Sequence, residues 1–356
     1  MLQDNMRPEQ QDSGHEASRQ RHESEPGFHH FNELADAQAS AFDSRRMHLV
    51  LLPTEQCNFR CKYCYEAFSR GRMSVDVQEG IKNLVRKRSN DLNFLEISWF
   101  GGEPLVAKDI VLGITEACNE AMQSQGGYFR HNISTNGYFL DLATLEELVN
   151  LGIREFQISL DGTKEEHDKT RILMGGQGTF DRIWRNLCSL KSSKLDFTIG
   201  LRIHVHPGNV HDTISLATLL EDTFGGDTRF RFHYKLVNNF GTGDSKSFAI
   251  ISRDEAESYL EKAFAVHAPS QVSNLNQKNS CYICYAAKAN SFTIRSDGRI
   301  VKCTVQLDDD HNCVGRLLPD GSLEIDQRAF KWWLKGWEQA ELSQLSCPAS
   351  RAYQTT

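Results

Sequence analysis

Hydrophobic runs and amphipathic segments alternate regularly from residue 47 onward. Short apolar runs typical of buried strands begin near residues 47, 94, 129, 153, 196 and 229. Segments with helical periodicity lie between them, starting at Ser74, after Pro104, and at 141–151, 179–191 and 211–222. These six strand-and-helix units predict right-handed βαβ crossovers and a parallel sheet. Because a closed TIM barrel needs eight units, we expect an open, partial (β/α)6 TIM-like barrel with its active site at the C-terminal strand ends.

The two ends of the chain depart from this pattern. The first residues are polar and predict a disordered or extended tail, in which 28–46 can form a short docking helix. After the barrel, a helix at 252–267 leads into a polar linker, and a later hairpin pattern turns at Asp297-Gly298. We therefore divide the chain into a tail, a barrel, a helix with linker and a small C-terminal domain, at residues 1–46, 47–250, 251–280 and 281–356.

Composition and charge argue against nucleic-acid and membrane partners. With 39% apolar and 24% charged residues, the chain has the composition of an ordinary soluble globular protein. The formal charge is -7 and the basic residues are scattered, so we expect no nucleic-acid partner. No apolar run reaches the roughly 18 residues of a membrane helix, and the N-terminus lacks a secretory signal. We therefore expect a cytoplasmic protein that does not contact a membrane.

The cysteines carry the chemistry. Ten cysteines are many for a chain in a reducing compartment, where metal or redox roles are more common than disulfides. Cys57, Cys61 and Cys64 directly follow the first predicted strand. Their spacing suits three corners of a [4Fe-4S] cube whose fourth iron stays open to a small molecule. A structural zinc site is the weaker alternative, because this loop offers no fourth Cys or His.

Further motifs accompany the cysteine triplet. The sequence CNFRCKYCYE, with Tyr63 before the third cysteine, resembles the signature of the radical S-adenosylmethionine (SAM) superfamily. Matching motifs follow the next three strands: Gly101-Gly102-Glu103-Pro104, Ser134-Thr135-Asn136-Gly137 and Ser159-Leu160-Asp161-Gly162. Each motif alone is also typical of a turn or a helix cap. Their order at four consecutive strand ends favours a SAM-cleaving site.

The resemblance implies how SAM would bind. SAM would chelate the open iron through its amino and carboxylate groups, and the Gly-Gly-Glu backbone would approach its ammonium group. The run HDKTRILMGGQGTF makes Arg171 a candidate partner of the SAM carboxylate, although Arg171 can equally pair with Asp161 or Asp168. The implied cofactor-binding residues are Tyr63, Gly101, Gly102, Glu103, Ser134, Asn136, Ser159, Asp161 and Arg171. No catalytic acid or base is identified, although His204, His206 and His211 lie near the fifth strand end.

A second cysteine group lies in the C-terminal domain. It consists of Cys281, Cys284, Cys303 and Cys313, and Gly298 lets a tight hairpin return the chain toward the first pair. This spacing resembles the SPASM or twitch extension, which holds auxiliary [4Fe-4S] clusters in peptide-modifying radical SAM enzymes. We expect one auxiliary cluster on these four cysteines, with Cys347 as the substitute if one is not a ligand. A structural zinc site is the alternative.

The resemblance implies an oxidoreductase and peptide maturase. Such an enzyme reductively cleaves SAM to a 5′-deoxyadenosyl radical that abstracts hydrogen from a substrate. The favoured substrate is a ribosomally synthesised peptide that is cross-linked or oxidised. The enzyme alternatives are sulfatase-maturase-like oxidation of a protein Cys or Ser and small-molecule radical chemistry. The non-enzyme alternatives are an iron-sulfur electron carrier and a zinc-stabilised binding protein. Expected partners are the peptide, a reductant protein such as flavodoxin or ferredoxin, and a separate leader-binding protein.

Overall fold

The structure, a computed structural model, describes residues 26–124, 126–240, 246–268, 271 and 282–353. Within these residues one ten-stranded sheet is flanked by helices. The strands are β1 (Arg46–Leu51), β2 (Phe94–Trp99), β3 (Tyr128–Thr135), β4 (Glu155–Leu160), β5 (Thr198–Val205), β6 (Phe230–Leu236), β7 (Ser291–Ile294), β8 (Arg299–Val301), β9 (Cys313–Leu317) and β10 (Leu323–Ile325). The helices are α1 (Pro26–Phe42), α2 (Val75–Arg88), α3 (Lys108–Gln123), α4 (Leu142–Asn150), α5 (Lys164–Thr170), α6 (Phe180–Ser192), α7 (Thr213–Phe224), α8 (Arg253–Val266), α9 (Gln327–Leu334) and α10 (Leu342–Ser346). None of the described helices is both long and apolar enough to cross a membrane.

Strands β1 to β6 lie side by side in chain order and run parallel. Their residues alternate between two environments, as in β2, where Leu95, Ile97 and Trp99 are fully buried. These side chains belong to the main core together with residues of α2 and α3, such as Ile81 and Ile110. The intervening, mostly polar residues face the inside of the curved sheet. The predicted α/β fold with a parallel partial-barrel sheet is confirmed.

Most helices begin where the sequence predicts. The Ser74 hydroxyl accepts a hydrogen bond from the Val77 amide at the start of α2. Ser252 and Glu255 form a capping box at the start of α8. Helix α5 was not predicted, because its sequence KEEHDKT is short and lacks an apolar repeat. Its one buried ring, that of His167, lies within hydrogen-bonding distance of the Thr179 hydroxyl, 3.0 Å away.

The C-terminal strands extend the barrel sheet. Strand β7 pairs in parallel with the free side of β1, and β8, β9 and β10 continue outward in antiparallel order. The predicted hairpin at Asp297-Gly298 is present, with Gly298 at a φ of +83°. The linker segment 251–280 therefore connects two parts of one continuous sheet rather than two separate sheets. Strand β1 lies between the two parts, and this places the loop after β1 beside both.

The N-terminal region contains a helix where the sequence allows a short docking helix at 28–46. Residues 1–25 lie outside the described residues, but α1 occupies much of the remainder. Ala41 of α1 is fully buried against Ile283, Trp337 and Leu345 of the C-terminal segment. A segment with few apolar residues therefore folds because a partner surface covers them, and the sequence of the tail alone does not reveal that surface.

A buried ion pair joins the loop after β1 to the C-terminal hairpin. The Arg295 guanidinium donates to both carboxylate oxygens of Glu55, at 2.6 and 3.1 Å. The two side chains are 1% and 4% exposed. Breaking a buried pair of this kind leaves a charge without a partner, so the two segments are held in a fixed relative position.

The buried His131 on β3 predicts an acid-sensitive fold. Burial lowers the pKa of His131 to about 3, and its Nδ1 atom has no hydrogen-bond partner. Between this value and the unfolded pKa of about 6.5, the unfolded chain binds more protons, so stability falls as the pH falls below 6.5. We expect His131→Asn to reduce the loss of unfolding free energy between pH 7 and pH 5 by about 2 kcal/mol.

Urea unfolding at both pH values measures this difference. Between pH 7 and pH 8.5 the histidine is neutral in both states, so the wild type and His131→Asn should show parallel pH dependence there. Parallel behaviour between pH 5 and pH 7 as well would contradict the assignment.

Candidate functional site

The cysteine triplet lies in a loop that spans the top of the sheet. The loop starts after β1, and its backbone is tied to the chain after α5 by hydrogen bonds from Arg60 N to Ile172 O (2.8 Å) and from Lys62 N to Thr170 O (3.0 Å). Cys57, Cys61 and Cys64 are partly buried, and Cys57 and Cys61 pack against the core. Burial raises the pKa of the Cys64 thiol to about 12 and also raises that of Cys57. Such thiols release their protons only to a strong positive charge, which a metal centre supplies.

These cysteines open onto a cavity of about 470 Å³ at the C-terminal ends of the parallel strands. This volume is in the range of small-molecule and cofactor sites. Residues from all four predicted motifs line the cavity: Cys57, Cys61, Tyr63, Cys64, Gly101, Gly102, Ser134, Asn136, Ser159 and Arg171. The structure therefore brings together residues that are more than 110 positions apart in the sequence.

The Gly101-Gly102 turn fits closely against the cysteine loop. A Cβ atom on Gly102 would lie 2.4 Å from the Gln56 carbonyl oxygen, and one on Gly101 would lie 2.4 Å from the Thr54 carbonyl oxygen. Gly101 also adopts a φ of +111°, which disfavours other residues. Two hydrogen bonds, from Gly102 N to Thr54 O and from Glu103 N to Gln56 O, join the two backbones. Only glycines allow this approach, and they leave a face of bare backbone toward the cavity.

Glu103 and Asp161 are placed behind the cavity wall rather than on it. The Glu103 carboxylate, 1% exposed, accepts hydrogen bonds from the Thr135 hydroxyl and the Asn136 and Leu105 amides. Asp161 is fully buried and accepts hydrogen bonds from the Tyr63 and Thr170 hydroxyls, at 2.8 and 2.7 Å. Both carboxylates are satisfied by the chain itself. They hold the strand ends that carry the cavity-lining residues in place. The resemblance to the superfamily instead implied a direct contact between Asp161 and SAM.

Tyr63 connects the cysteine loop to Arg171 and His204. The Arg171 guanidinium donates to the Tyr63 hydroxyl through Nη1 at 2.8 Å, and the His204 ring lies 3.2 Å from the same hydroxyl. Arg171 is 6% exposed, and its Nε atom has no hydrogen-bond partner. Of the two acidic partners considered for Arg171, Asp168 instead accepts hydrogen bonds from Thr179 N and Phe180 N at the start of α6. Arg171 therefore keeps a donor available beside the cysteines.

The charge of Asp161 is maintained despite its burial. Burial acts to raise the pKa of Asp161, but the interaction with His204, 3.4 Å away, and the charge of Arg171 outweigh it and lower the pKa. Burial lowers the pKa of His204, although Asp161 opposes this effect. The carboxylate therefore stays ionised and orients the Tyr63 hydroxyl through a charge-assisted hydrogen bond.

Comparison with known families identifies this region. Residues 51–220 match the model of the radical SAM superfamily. These residues form a radical SAM domain. The matched range runs from the end of β1 into α7, so it contains the cysteine loop and the three motif turns. The superfamily implies SAM and a [4Fe-4S] cluster as cofactors, and the resemblance seen in the sequence is confirmed.

Curated relatives of the radical SAM domain differ in substrate. The chain is 29% identical over 171 residues to Fe-coproporphyrin III synthase of Methanosarcina barkeri, covering 48% of this chain and 39% of that protein. It is 28% identical over 159 residues to PqqA peptide cyclase of Granulibacter bethesdensis, covering 44% of this chain and 40% of that protein. The chain thus spans less than half the length of either relative.

The fold extends the likeness beyond the radical SAM domain. The structure of native anSMEcpe with bound AdoMet and Cp18Cys peptide matches with a TM-score of 0.61 at 16% identity. The match covers 85% of this chain and 88% of that chain. At this identity the likeness concerns the fold alone. It covers a larger share of the chain than the radical SAM model does.

The second cysteine group lies beside the cavity of the radical SAM domain. Cys281 lies outside the described residues. None of Cys284, Cys303, Cys313 or Cys347 lines the cavity, but Tyr285 and Thr304, which follow two of them, do. The Cys313 thiol instead lies 3.8 Å from the Gly315 carbonyl oxygen. Among the described residues, no three His, Cys, Asp or Glu side chains are placed to hold a single metal ion.

Cys347 lies closer to this group than the sequence indicated. The Cys284 amide donates to the Leu345 carbonyl at 2.9 Å, which brings the chain before Cys347 against Cys284. Burial raises the pKa of Cys284 to about 11, with smaller contributions from the Cys303 and Cys347 thiols. Cys347 was the substitute in the predicted ligand set, and the fold places it near two members of that set.

Three charged cavity residues were not found from the sequence. Arg202 on β5, Lys235 on β6 and Glu66 after the cysteine loop all line the cavity. Burial, together with the charge of Glu55, raises the pKa of Glu66 to about 8. The one available signal was position: Arg202 and His204 alternate with apolar residues along β5, so they face the inside of the barrel.

Proposed function

We propose that this protein is a radical SAM enzyme that matures a ribosomally synthesised peptide by cross-linking or oxidation. In this proposal Cys57, Cys61 and Cys64 hold a [4Fe-4S] cluster, and SAM occupies the adjoining cavity. The observation that carries the proposal is the convergence of the three thiols, the glycine face and the Arg171 donor on one cavity. A reductant protein supplies the electron.

The residues present fit SAM and its cluster. Three thiols leave one iron of a cube without a protein ligand, and that iron can accept a small chelating molecule. Gly101 and Gly102 line the cavity without side chains, so an ammonium group would meet backbone there, and the unpartnered Nε of Arg171 can donate to a carboxylate. Ser134, Asn136 and Ser159 add hydroxyl and amide groups on the same wall. When bound, the cluster supplies the electron that cleaves SAM to methionine and a 5′-deoxyadenosyl radical.

The chain's own residues position the cofactor and limit access of water. The ionised Asp161 holds the Tyr63 hydroxyl, and Tyr63 in turn accepts a hydrogen bond from Arg171. Arg171 is thus kept in one orientation beside the cysteines. The aromatic residues Phe59, Trp99 and Phe100 form an apolar part of the wall, which excludes competing hydrogen donors.

A peptide substrate is supported by the C-terminal part of the chain. We propose residues 47–250 as the SAM-cleaving unit and 281–356 as an auxiliary-cluster unit, joined by 251–280. Cys284 and Cys303 directly precede Tyr285 and Thr304, which line the cavity. PqqA peptide cyclase is a sequence relative, and anSMEcpe, whose structure contains a peptide, shares the fold. A cluster at this position could accept the electron left when the substrate radical forms a new bond.

Anaerobic reconstitution tests the proposed function. We expect about eight irons per chain, four for each [4Fe-4S] cluster, after incubation with iron and sulfide. Addition of dithionite and SAM should then yield 5′-deoxyadenosine, with no product when the reductant is omitted. Bound zinc, or bound iron without 5′-deoxyadenosine, would contradict the proposal.

A further inference from the structure

One wall of the cavity carries two positive charges. Arg202 on β5 and Lys235 on β6 both line the cavity, on adjacent parallel strands. The Nε atom of Arg202 is buried and has no hydrogen-bond partner. Within the described part of the chain, neither side chain forms an ion pair. Partial desolvation inside the cavity lowers the pKa of Lys235, and the charge of Arg202 lowers it further, which is consistent with their proximity.

The cavity offers no internal anion for this wall. The groups near Arg202 that become negative on ionisation are the phenols of Tyr65, Tyr63 and Tyr282. A phenol is neutral at pH 7, because the ordinary tyrosine pKa is about 10, so these groups supply no negative charge. Asp161 is already engaged by Tyr63 and Thr170.

Glu66, the other carboxyl discussed for this cavity, lies on a different wall from Arg202 and Lys235. Within the described residues, no ion pair joins Glu66 to Arg202 or Lys235, and Glu66 lies toward the buried pair of Glu55 and Arg295. Two neighbouring cations that line one cavity without a protein anion repel each other, and an anionic ligand relieves this repulsion.

The space around Arg202 can hold such a ligand. A second cavity of about 300 Å³ lies inside the barrel, and Asn132, Ser134, Gln157 and Arg202 line both cavities. Arg202 thus lies at the junction of two open volumes. His204, two residues further along β5, contacts Tyr63 of the cysteine loop. Since two strand residues span about 6.6 Å, a ligand on Arg202 would lie near the cysteine loop.

We propose that Arg202 and Lys235 bind a carboxylate of the substrate, so that the modified peptide carries an acidic group beside the reacting carbon. This proposal rests on the proposed function and names its substrate class. A guanidinium binds a carboxylate through two parallel hydrogen bonds, and the ammonium adds a second charge. A phosphate group is less well matched, because phosphate sites commonly use the free amides of a helix N-terminus, whereas this wall consists of strand side chains.

Binding of small probes to the holoenzyme tests the carboxylate site. The reconstituted protein is saturated with SAM, without reductant, and titrated with N-acetyl-glutamate N-methylamide by ligand-observed NMR. The neutral isostere N-acetyl-glutamine N-methylamide is the matched probe, and N-acetylglycine distinguishes a terminal carboxylate from a side-chain one. We expect at least tenfold tighter binding of a carboxylate probe than of the neutral amide, with a decrease at high salt.

Substitutions at Arg202 and Lys235 test whether these two side chains bind the carboxylate probe. Arg202→Gln and Lys235→Gln should each weaken the carboxylate probe about tenfold. Lys262→Gln, which removes an exposed charge on α8, should leave it unchanged. Lys235 is exposed on its strand, so Lys235→Gln should fold and test the site even if Arg202→Gln does not fold.

Several results would overturn the assignment. These are equal binding of the charged and neutral probes, stronger binding of inorganic pyrophosphate than of any carboxylate, and loss of SAM affinity in Arg202→Gln with unchanged probe binding. Because the titration involves no turnover, it is separate from the test of the proposed function. Probe binding that depends on Arg202, in a protein that forms no 5′-deoxyadenosine, would refute the chemistry while supporting the carboxylate site.

Discussion

Replacement of Cys61 by alanine is expected to remove one cluster and all cleavage of SAM. Its thiol packs against the main core in the middle of the loop, between the other two predicted ligands. With two thiolates remaining, a cube has two irons without protein ligands and is not retained. We expect the iron content to fall by about four per chain and 5′-deoxyadenosine to fall below detection. Iron analysis, electron paramagnetic resonance and product analysis measure the three consequences.

Cys118→Ala is the matched control for this experiment. Cys118 is fully buried, but it lies on α3 in the core and does not line the cavity. Its replacement should cost about 1 kcal/mol of stability and leave iron content and product formation unchanged. Full iron content and product formation in Cys61→Ala would place the SAM-cleaving cluster on other residues. Retained iron in Cys61→Ala, with no product from either protein, would instead favour an electron carrier that uses only the second cysteine group.

A methyl group on Gly102 is expected to impair SAM binding. The added Cβ would meet the backbone of the cysteine loop, at 2.4 Å from Gln56 O and 2.8 Å from Glu55 O. Backbone atoms at these positions cannot rotate away as a flexible side chain could, so the loop that carries Cys57 must shift. We expect Gly102→Ala to weaken SAM binding about 100-fold, equivalent to ~2.7 kcal/mol, as measured by equilibrium dialysis on the reconstituted protein.

The same substitution at Gly113 provides the comparison. Gly113 lies within α3, and a Cβ there would meet no atom within 4 Å. Alanine is favoured over glycine in a helix interior by up to about 1 kcal/mol, so Gly113→Ala should be neutral or slightly stabilising and should bind SAM normally. Wild-type SAM affinity in Gly102→Ala would show that the cofactor does not depend on this close approach.

Local patterns predicted the barrel, because each strand and helix is identified by its own period. The alternation in FLEISWF and the cap at Ser74 specify β2 and the start of α2 without reference to the rest of the chain. The pairing of β7 with β1 joins residues about 240 positions apart. The local periodicity of a strand does not show which edge of the sheet it pairs with. Helix α1 lies where the sequence allows a short docking helix, but for the same reason the distant segment that covers its apolar residues was not predicted.

The candidate site shows a similar division. Motif residues at strand ends converge on the cavity because parallel strands bring their C-terminal ends to one edge. The motif did not distinguish Ser159, which lines the cavity, from Asp161, which supports Tyr63 from behind. Arg202 was missed because a charged residue in a strand is recognisable as functional only when its surroundings are known. Its lack of an acidic partner is a property of the assembled barrel.

The position of β1 within the sheet has a consequence for the order in which the protein matures. Strand β1 is paired on one side by β2, which is synthesised early, and on the other by β7, which is synthesised about 240 residues later. Until β7 is made, β1 is an edge strand with unpaired backbone groups. Arg295, which anchors the cysteine loop through Glu55, arrives with the same late segment. The cysteine loop therefore lacks this anchor until the last third of the chain is made, and completion of the sheet then fixes the loop in place.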